Sequence, residues 1–202
     1  MPKTIPADTT TERFWPWFVR DQQWARAGLP LALILGLLGP IIRPALGKSR
    51  FLIFLHSPVY MLHQFEEHGH GAFKADAQRM FPQARGLTDL NICIVNIGVW
   101  GINLGAFYPA RFSRLALSLI ASYVAVVNGL LHLAVALRQR RYNPGLVTGA
   151  ALLLPLGGMS LRQVARESQA TRRDHLLGFG GAVLLHLLTI VAIMFIGKKK
   201  TD

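Results

Sequence analysis

Residues 115–137 read LALSLIASYVAVVNGLLHLAVAL, 23 positions without a charge. At 1.5 Å per helical residue the run reaches about 34 Å, enough to cross the ~30 Å hydrocarbon layer of a bilayer. A 202-residue chain is about one domain's worth of sequence, and 51% of it is hydrophobic. Only 16% is charged, against about 25% in a soluble domain. The surplus comes in long blocks, which places it in lipid rather than in one oversized core.

Five further apolar segments flank this run. Before it lie Gly28–Ile42, Phe51–His70 and Leu90–Tyr108, the last with Thr88 or Asp89 placed to cap its first turn. After it come Leu146–Met159 and Leu176–Ile196, the latter stopped by Lys198, Lys199 and Lys200. Gly28–Ile42 is short for a span. It must borrow length from Trp24 onward or sit as a tucked hairpin. Glycines and prolines recur inside the segments, as membrane helices tolerate. The expected fold is all-α, a polytopic transmembrane bundle of about six helices over residues 28–197. Residues 1–27 form a polar tail and an aromatic and basic interfacial lead-in, and 198–202 a basic tail. Residues 1–12 read as disordered, and 71–89 as the longest loop between spans.

The net charge of +12 does not mark a nucleic-acid binder, because the basic residues fall between the apolar blocks. Arg43, Lys48 and Arg50 form one group, and Arg138, Arg140 and Arg141 another. Charge so placed meets lipid headgroups and sets topology. With six spans, 13 of the 22 Lys and Arg lie on the side of both termini. The expectation is an inner or plasma membrane protein with cytoplasmic termini and membrane lipids as partners. No small-residue cleavage site follows the first apolar run, so no cleavable signal peptide is expected. The single cysteine, Cys93, reads as a buried small hydrophobe.

The polar residues in the apolar segments carry the chemistry. On a helix, His63, Glu66, Glu67 and His70 share one face, at i, i+3, i+4 and i+7. His56 lies two turns earlier on that stripe, with Tyr60 between, while His68 falls off it. No basic residue occurs between Arg50 and Lys74. Two carboxylates in a low-dielectric bundle then need a metal, a shared proton, a histidinium or a remote arginine. Asn128 and His132 stand at i, i+4 in the uncharged run, and His186 is alone among leucines.

The string His63-Gln64-Phe65-Glu66-Glu67 resembles the signature of the HXXEE-domain family of small integral membrane proteins. Asn128-Gly-Leu-Leu-His132 and Tyr142-Asn143-Pro144-Gly145 resemble that family's second conserved region. The likeness covers roughly Phe51 to Ile196. It implies a fold and a site and leaves the reaction open.

Four functions fit these residues. The leading expectation is a metal-dependent enzyme acting on a lipid-like, hydrophobic small molecule. Its iron, zinc or manganese ion would be held from among His63, Glu66, Glu67, His132, His186, His70 and His56. The second is a metal-free isomerase or cyclase of a sterol or terpenoid. There Glu66, Glu67 and His63 move protons, and Asn128 and Trp100 steady the charge that develops. The third is a proton or divalent-cation transporter, which six short helices would form as a homo-oligomer, and the fourth a membrane scaffold.

Overall fold

A computed structural model of the chain describes residues 9–82, 87–112, 115–167 and 170–195. Among these every regular element is helical. The elements are α1 (Thr9–Arg20), α2 (Gln23–His68), α3 (Ala72–Met80), α4 (Asp89–Phe112), α5 (Leu115–Gln139), α6 (Leu146–Thr148), α7 (Leu154–Arg166) and α8 (Arg172–Phe195). A π-helical turn, Gly149–Leu153, joins α6 to α7. The expected basic tail, Lys198 to Lys200, lies outside the described residues.

α2 is not straight: it is two helical arms that meet at a kink. Gly47 has φ 69° and ψ 174°, a left-handed φ that only glycine adopts without strain. The two arms on either side of it fold against each other. Arg26 Nε donates to the Gly69 carbonyl at 3.0 Å, and the Trp24 and His68 rings lie 5.1 Å apart. A Cβ on Gly28 would stand 3.0 Å from the Met61 carbonyl oxygen. The first arm thus gains its missing length from Gln23 to Ala27, and each arm is about 30–36 Å long.

Contacts between elements fix the direction of the rest. Gln22 Nε2 donates to Asp89 Oδ1, which sets the start of α4 beside the start of α2. Thr88 Oγ1 accepts the Asn91 amide at 3.2 Å and caps α4. Ser49 donates to Glu167 at 2.6 Å, at the opposite face. Gly157 packs on Ser122 and Val126, and Gly129 on Gly149 and Leu154, so α7 runs antiparallel to α5. Gly178 meets Leu119 and Gly181 meets Ile120, so α8 runs parallel to α5. Small residues at these crossings let the backbones approach closely. The described chain therefore makes six passes up and down, counting the arms of α2 separately and α6 through α7 as one.

Two expectations change. The stretch taken as a disordered tail already enters α1 at Thr9, because α1 finds cover: Val19 buries with Trp24, Ala25 and Ile92. The 71–89 stretch contains α3, held by Ala77 and Phe73 in the same cluster and by Asp76, which accepts from Arg141 at 2.7 Å.

Three helices are long and apolar enough to cross a membrane: α2, α5 over Leu119–Gln139, and α8 over Arg172–Val191. Their outward surfaces are apolar, as at Leu37 (77% exposed), Ile41 (72%) and Leu137 (70%). The interior holds His56, His63, Gln64, Glu67, His68, Asn103, Ser122 and Ser160, all buried. They lie among apolar core residues such as Ile53, Leu119 and Leu153, so polar groups are buried while large apolar ones stay exposed, which is uncommon in water.

Candidate metal centre

Near its end, the second arm of α2 buries His63 and Glu67 one turn apart. Facing them is His132, near the end of α5. One ligand atom from each of these three residues falls within 4.8 Å of the other two. Glu67 Oε2 is 3.5 Å from His63 Nε2, and Glu67 Oε1 is 3.6 Å from His132 Nε2. Donors on a tetrahedral ion at about 2.0–2.1 Å stand about 3.4 Å apart, so the spacing is close to a ligand edge.

The far side of each ring fixes which nitrogen faces inward. Asn143 Nδ2 donates to the His132 carbonyl at 3.0 Å, which pins that amide. Asn143 Oδ1, an acceptor only, then takes the proton of His132 Nδ1 at 2.7 Å. Thr148 Oγ1 gives its proton to Glu66 Oε2 and accepts from His63 Nδ1 at 2.8 Å. In the neutral form each imidazole therefore aims a bare Nε2 lone pair at the Glu67 carboxylate. His63 Nε2 has no hydrogen-bond partner among the described residues. No Lys or Arg pairs with Glu67 among the described residues, so its charge is balanced either by a metal ion or by a proton on one of the imidazoles around it, His63, His68 or His132. Outer acceptors that fix the ring tautomer are the usual support of metal-binding histidines.

Gly145 makes the convergence possible. Its φ is 92°, and a Cβ there would lie 2.7 Å from Cε1 of both His132 and His63. The π-turn follows directly after Thr148, and such turns concentrate at working sites.

Glu66 serves another purpose. It accepts from the Val147 amide at 3.0 Å, the Thr148 amide at 2.7 Å and the Tyr142 hydroxyl at 3.0 Å. Its carboxylate thus caps the helix that begins at α6. Burial and the Glu66 carboxylate push the Tyr142 phenol up to about 12, so it remains a donor at neutral pH.

The other expected site residues scatter. His56 is bonded through Nε2 to Ser160 at 3.1 Å and Ser122 at 3.2 Å. It stands about 10 Å along the helix from His63. His70 is exposed and touches the Phe65 ring. His186 donates Nδ1–H to the Ala182 carbonyl at 2.8 Å and lines a cavity beside Glu67, outside the three-ligand group. Asn128 lines the same cavity, while Trp100 packs on Trp24.

His68, expected to point away, is 2% exposed with Nε2 3.2 Å from Glu67 Oε2. As the last residue of α2 it sits between Trp24 and Phe73. No helical stripe reveals it, because its placement depends on those two rings. Asn143 lies in the stretch Tyr142–Gly145 that the sequence singles out without giving it a role, whereas Thr148 is hidden, since it acts on His63 from 85 residues away.

The family described as "Protein of unknown function with HXXEE motif" matches residues 54–160. That is more than half of the chain. The chain belongs to the HXXEE family. No curated protein and no solved structure matches it. The motif's named residues divide in this HXXEE chain: His63 and Glu67 face the cluster and Glu66 holds the helix opposite. Substituting Asn143 by alanine should free the His132 tautomer and weaken divalent-ion binding by roughly 10–100-fold, read by competition with a chelating dye. Unchanged affinity would remove Asn143 from the site.

Proposed function

We propose that this HXXEE protein is an integral membrane enzyme that binds one divalent transition-metal ion at His63, Glu67 and His132 and acts on a lipid-like substrate. The observation that carries the reading is the inward pair of Nε2 lone pairs, each locked by an outer acceptor and directed at one buried carboxylate. Two imidazoles and a carboxylate suit zinc, iron or manganese. Three protein ligands leave a coordination position open for substrate or water. A bound ion there supplies Lewis acidity. His68, beside Glu67, is the group placed to hold or release a proton.

The surroundings favour an apolar substrate. A cavity of about 250 Å³ reaches Glu67 and His132 past Phe73, Met80, Leu131 and Ile190. Leu131 and Ile190 are exposed on the bundle's flank, so the cavity opens toward where lipid would lie. The apolar flanks and the six antiparallel passes support membrane insertion. Both described ends share the face near the metal centre, and the excess of Lys and Arg on that side assigns it to the cytoplasm.

The test is metal content by mass spectrometry on protein purified in detergent without chelators, then reloaded. Wild type is expected to hold about one ion per chain. Glu67→Gln should hold none while keeping its helical circular dichroism, and His68→Gln should still hold it. Chelation of wild type should lower the unfolding temperature, and reloading should restore it. No ion after reloading, or full occupancy in Glu67→Gln, overturns the metal reading. The cluster would then be a proton store, and the acid–base reading would take its place.

A further inference from the structure

Beside the large apolar cavity lies a smaller one of about 90 Å³, whose lining includes Tyr60, Asn96, Asn128, His186 and Thr189. The two adjoin, since Glu67, Phe73, Asn128, His186 and Thr189 line both. Their characters differ. The larger presents mainly side chains such as Met80, Leu131, Val135 and Ile190. The smaller is also largely apolar, through Val95, Val99 and Leu185, but a larger share of its wall is polar, with hydroxyl, amide and imidazole groups from α2, α4, α5 and α8.

One group in the smaller cavity lacks what it needs. Asn128 Oδ1 is buried and has no hydrogen-bond partner among the described residues. Leaving such an atom unpaired carries a desolvation penalty that a ligand's donor would remove. By contrast Asn96 is satisfied by the Ile92 carbonyl at 2.8 Å and His186 Nδ1 by Ala182. Among the described residues no Lys or Arg lines either cavity. A phosphate head would find no side-chain counter-charge among them, and would lie against the Glu67 carboxylate.

We propose that the smaller cavity is the head-group subsite for a neutral lipid bearing a hydroxyl or primary amide, with its hydrocarbon chain in the larger cavity. This rests on the reading of the Glu67 cluster as the working centre and names the substrate class for it. The head donates to Asn128 Oδ1, and that bond holds the carbon next to the head beside Glu67. A hydroxyl, being both donor and acceptor, answers the Asn128 amide in either orientation. Asn128 is thus a specificity-determining residue, distinct from the metal ligands.

The experiment measures ligand-induced shifts in unfolding temperature for the full chain in lipid nanodiscs. The probes are hexadecanol, hexadecanamide, hexadecyl methyl ether and hexadecyl phosphate. Hexadecanol and hexadecanamide should stabilise saturably. The ether has the same shape at the head but no donor, and should need at least roughly tenfold more for half-effect. The phosphate should give no shift. Asn128→Leu should lose the preference of alcohol over ether. Leu131→Trp, which fills the larger cavity and keeps the Asn128 amide, should lose the response to every probe. If Asn128→Leu does not fold, the wild-type alcohol-to-ether ratio and Leu131→Trp decide the matter. Equal responses to alcohol and ether, a preference for phosphate, no response in wild type, or an unchanged preference in Asn128→Leu each overturn the proposal. Metal content is read on the same samples. A metal-loaded protein without selectivity sinks this inference alone, and a metal-free protein that still discriminates sinks the metal reading alone.

Discussion

Gly145→Ala is expected to destabilise the fold by more than about 4 kcal/mol and to empty the metal centre. Two costs combine. A backbone at φ 92° strains any residue with a Cβ, by about 1–3 kcal/mol. The new methyl group would also stand 2.7 Å from Cε1 of both His63 and His132. No ordinary carbon contact is that short, so both rings must swing outward. Each ring is held by a hydrogen bond on its far side, from Nδ1 to Thr148 and to Asn143. Moving the rings breaks those bonds and misdirects both Nε2 atoms. Unfolding temperature in detergent and metal content read the two effects separately. A variant with wild-type values of both would mean that the loop at Tyr142–Gly145 does not pack as described.

Glu66→Ala should cost nearly as much, for a different reason. Four donors converge on this carboxylate: two backbone amides at the start of α6, the Thr148 hydroxyl and the Tyr142 hydroxyl. Hydrogen bonds to a charged group contribute about 1.5–3 kcal/mol each when buried. Glu66 is partly exposed, and such terms do not add, so a total of about 3 kcal/mol is the reasonable expectation. Glu66→Gln keeps one acceptor oxygen and should lose about half as much. The second consequence is chemical. Without Glu66 the Thr148 hydroxyl no longer has its acceptor, and it is free to donate to His63 Nδ1 instead. The ring would then carry its proton on Nε2, where an ion must bind, so metal affinity should fall in Glu66→Ala although Glu66 is not a ligand. An alanine variant that unfolds and binds metal like wild type would return Glu66 to the list of residues without an assigned role.

The sequence makes α5 legible because nothing else explains 23 uncharged residues in a row. His63 and Glu67 are legible together because i, i+4 spacing fixes their common face on any helix. Glu66 shows the limit of that reasoning. A three-residue offset puts it near the same face, yet the first turn of α6 offers two free amides, and that neighbour decides where the carboxylate turns. His68 fails in the opposite sense: a residue off the stripe is brought in because α2 ends there against Trp24 and Phe73. The fold at Gly47 is hidden for a simpler reason. Arg43-Pro44 reads as a stop between two segments, whereas the first arm runs past it and the break comes at Gly47, whose positive φ turns the chain back.

The centre draws on residues made far apart in time. Thr148 follows Glu66 by 82 positions. At ~5–20 residues per second of synthesis, roughly 4–16 s separate them. Throughout that interval His63 and Glu67 already exist as a pair of donors, but neither ring tautomer is set and His132 comes late. A cation captured early would have only two ligands and would exchange freely. On the proposed metal reading, lasting occupancy needs His63 and Glu67 to have met the loop carrying Asn143, Gly145 and Thr148. Loading would then be a late event in biogenesis, and a ribosome-stalled chain ending before Asn143 is expected to stay unmetallated.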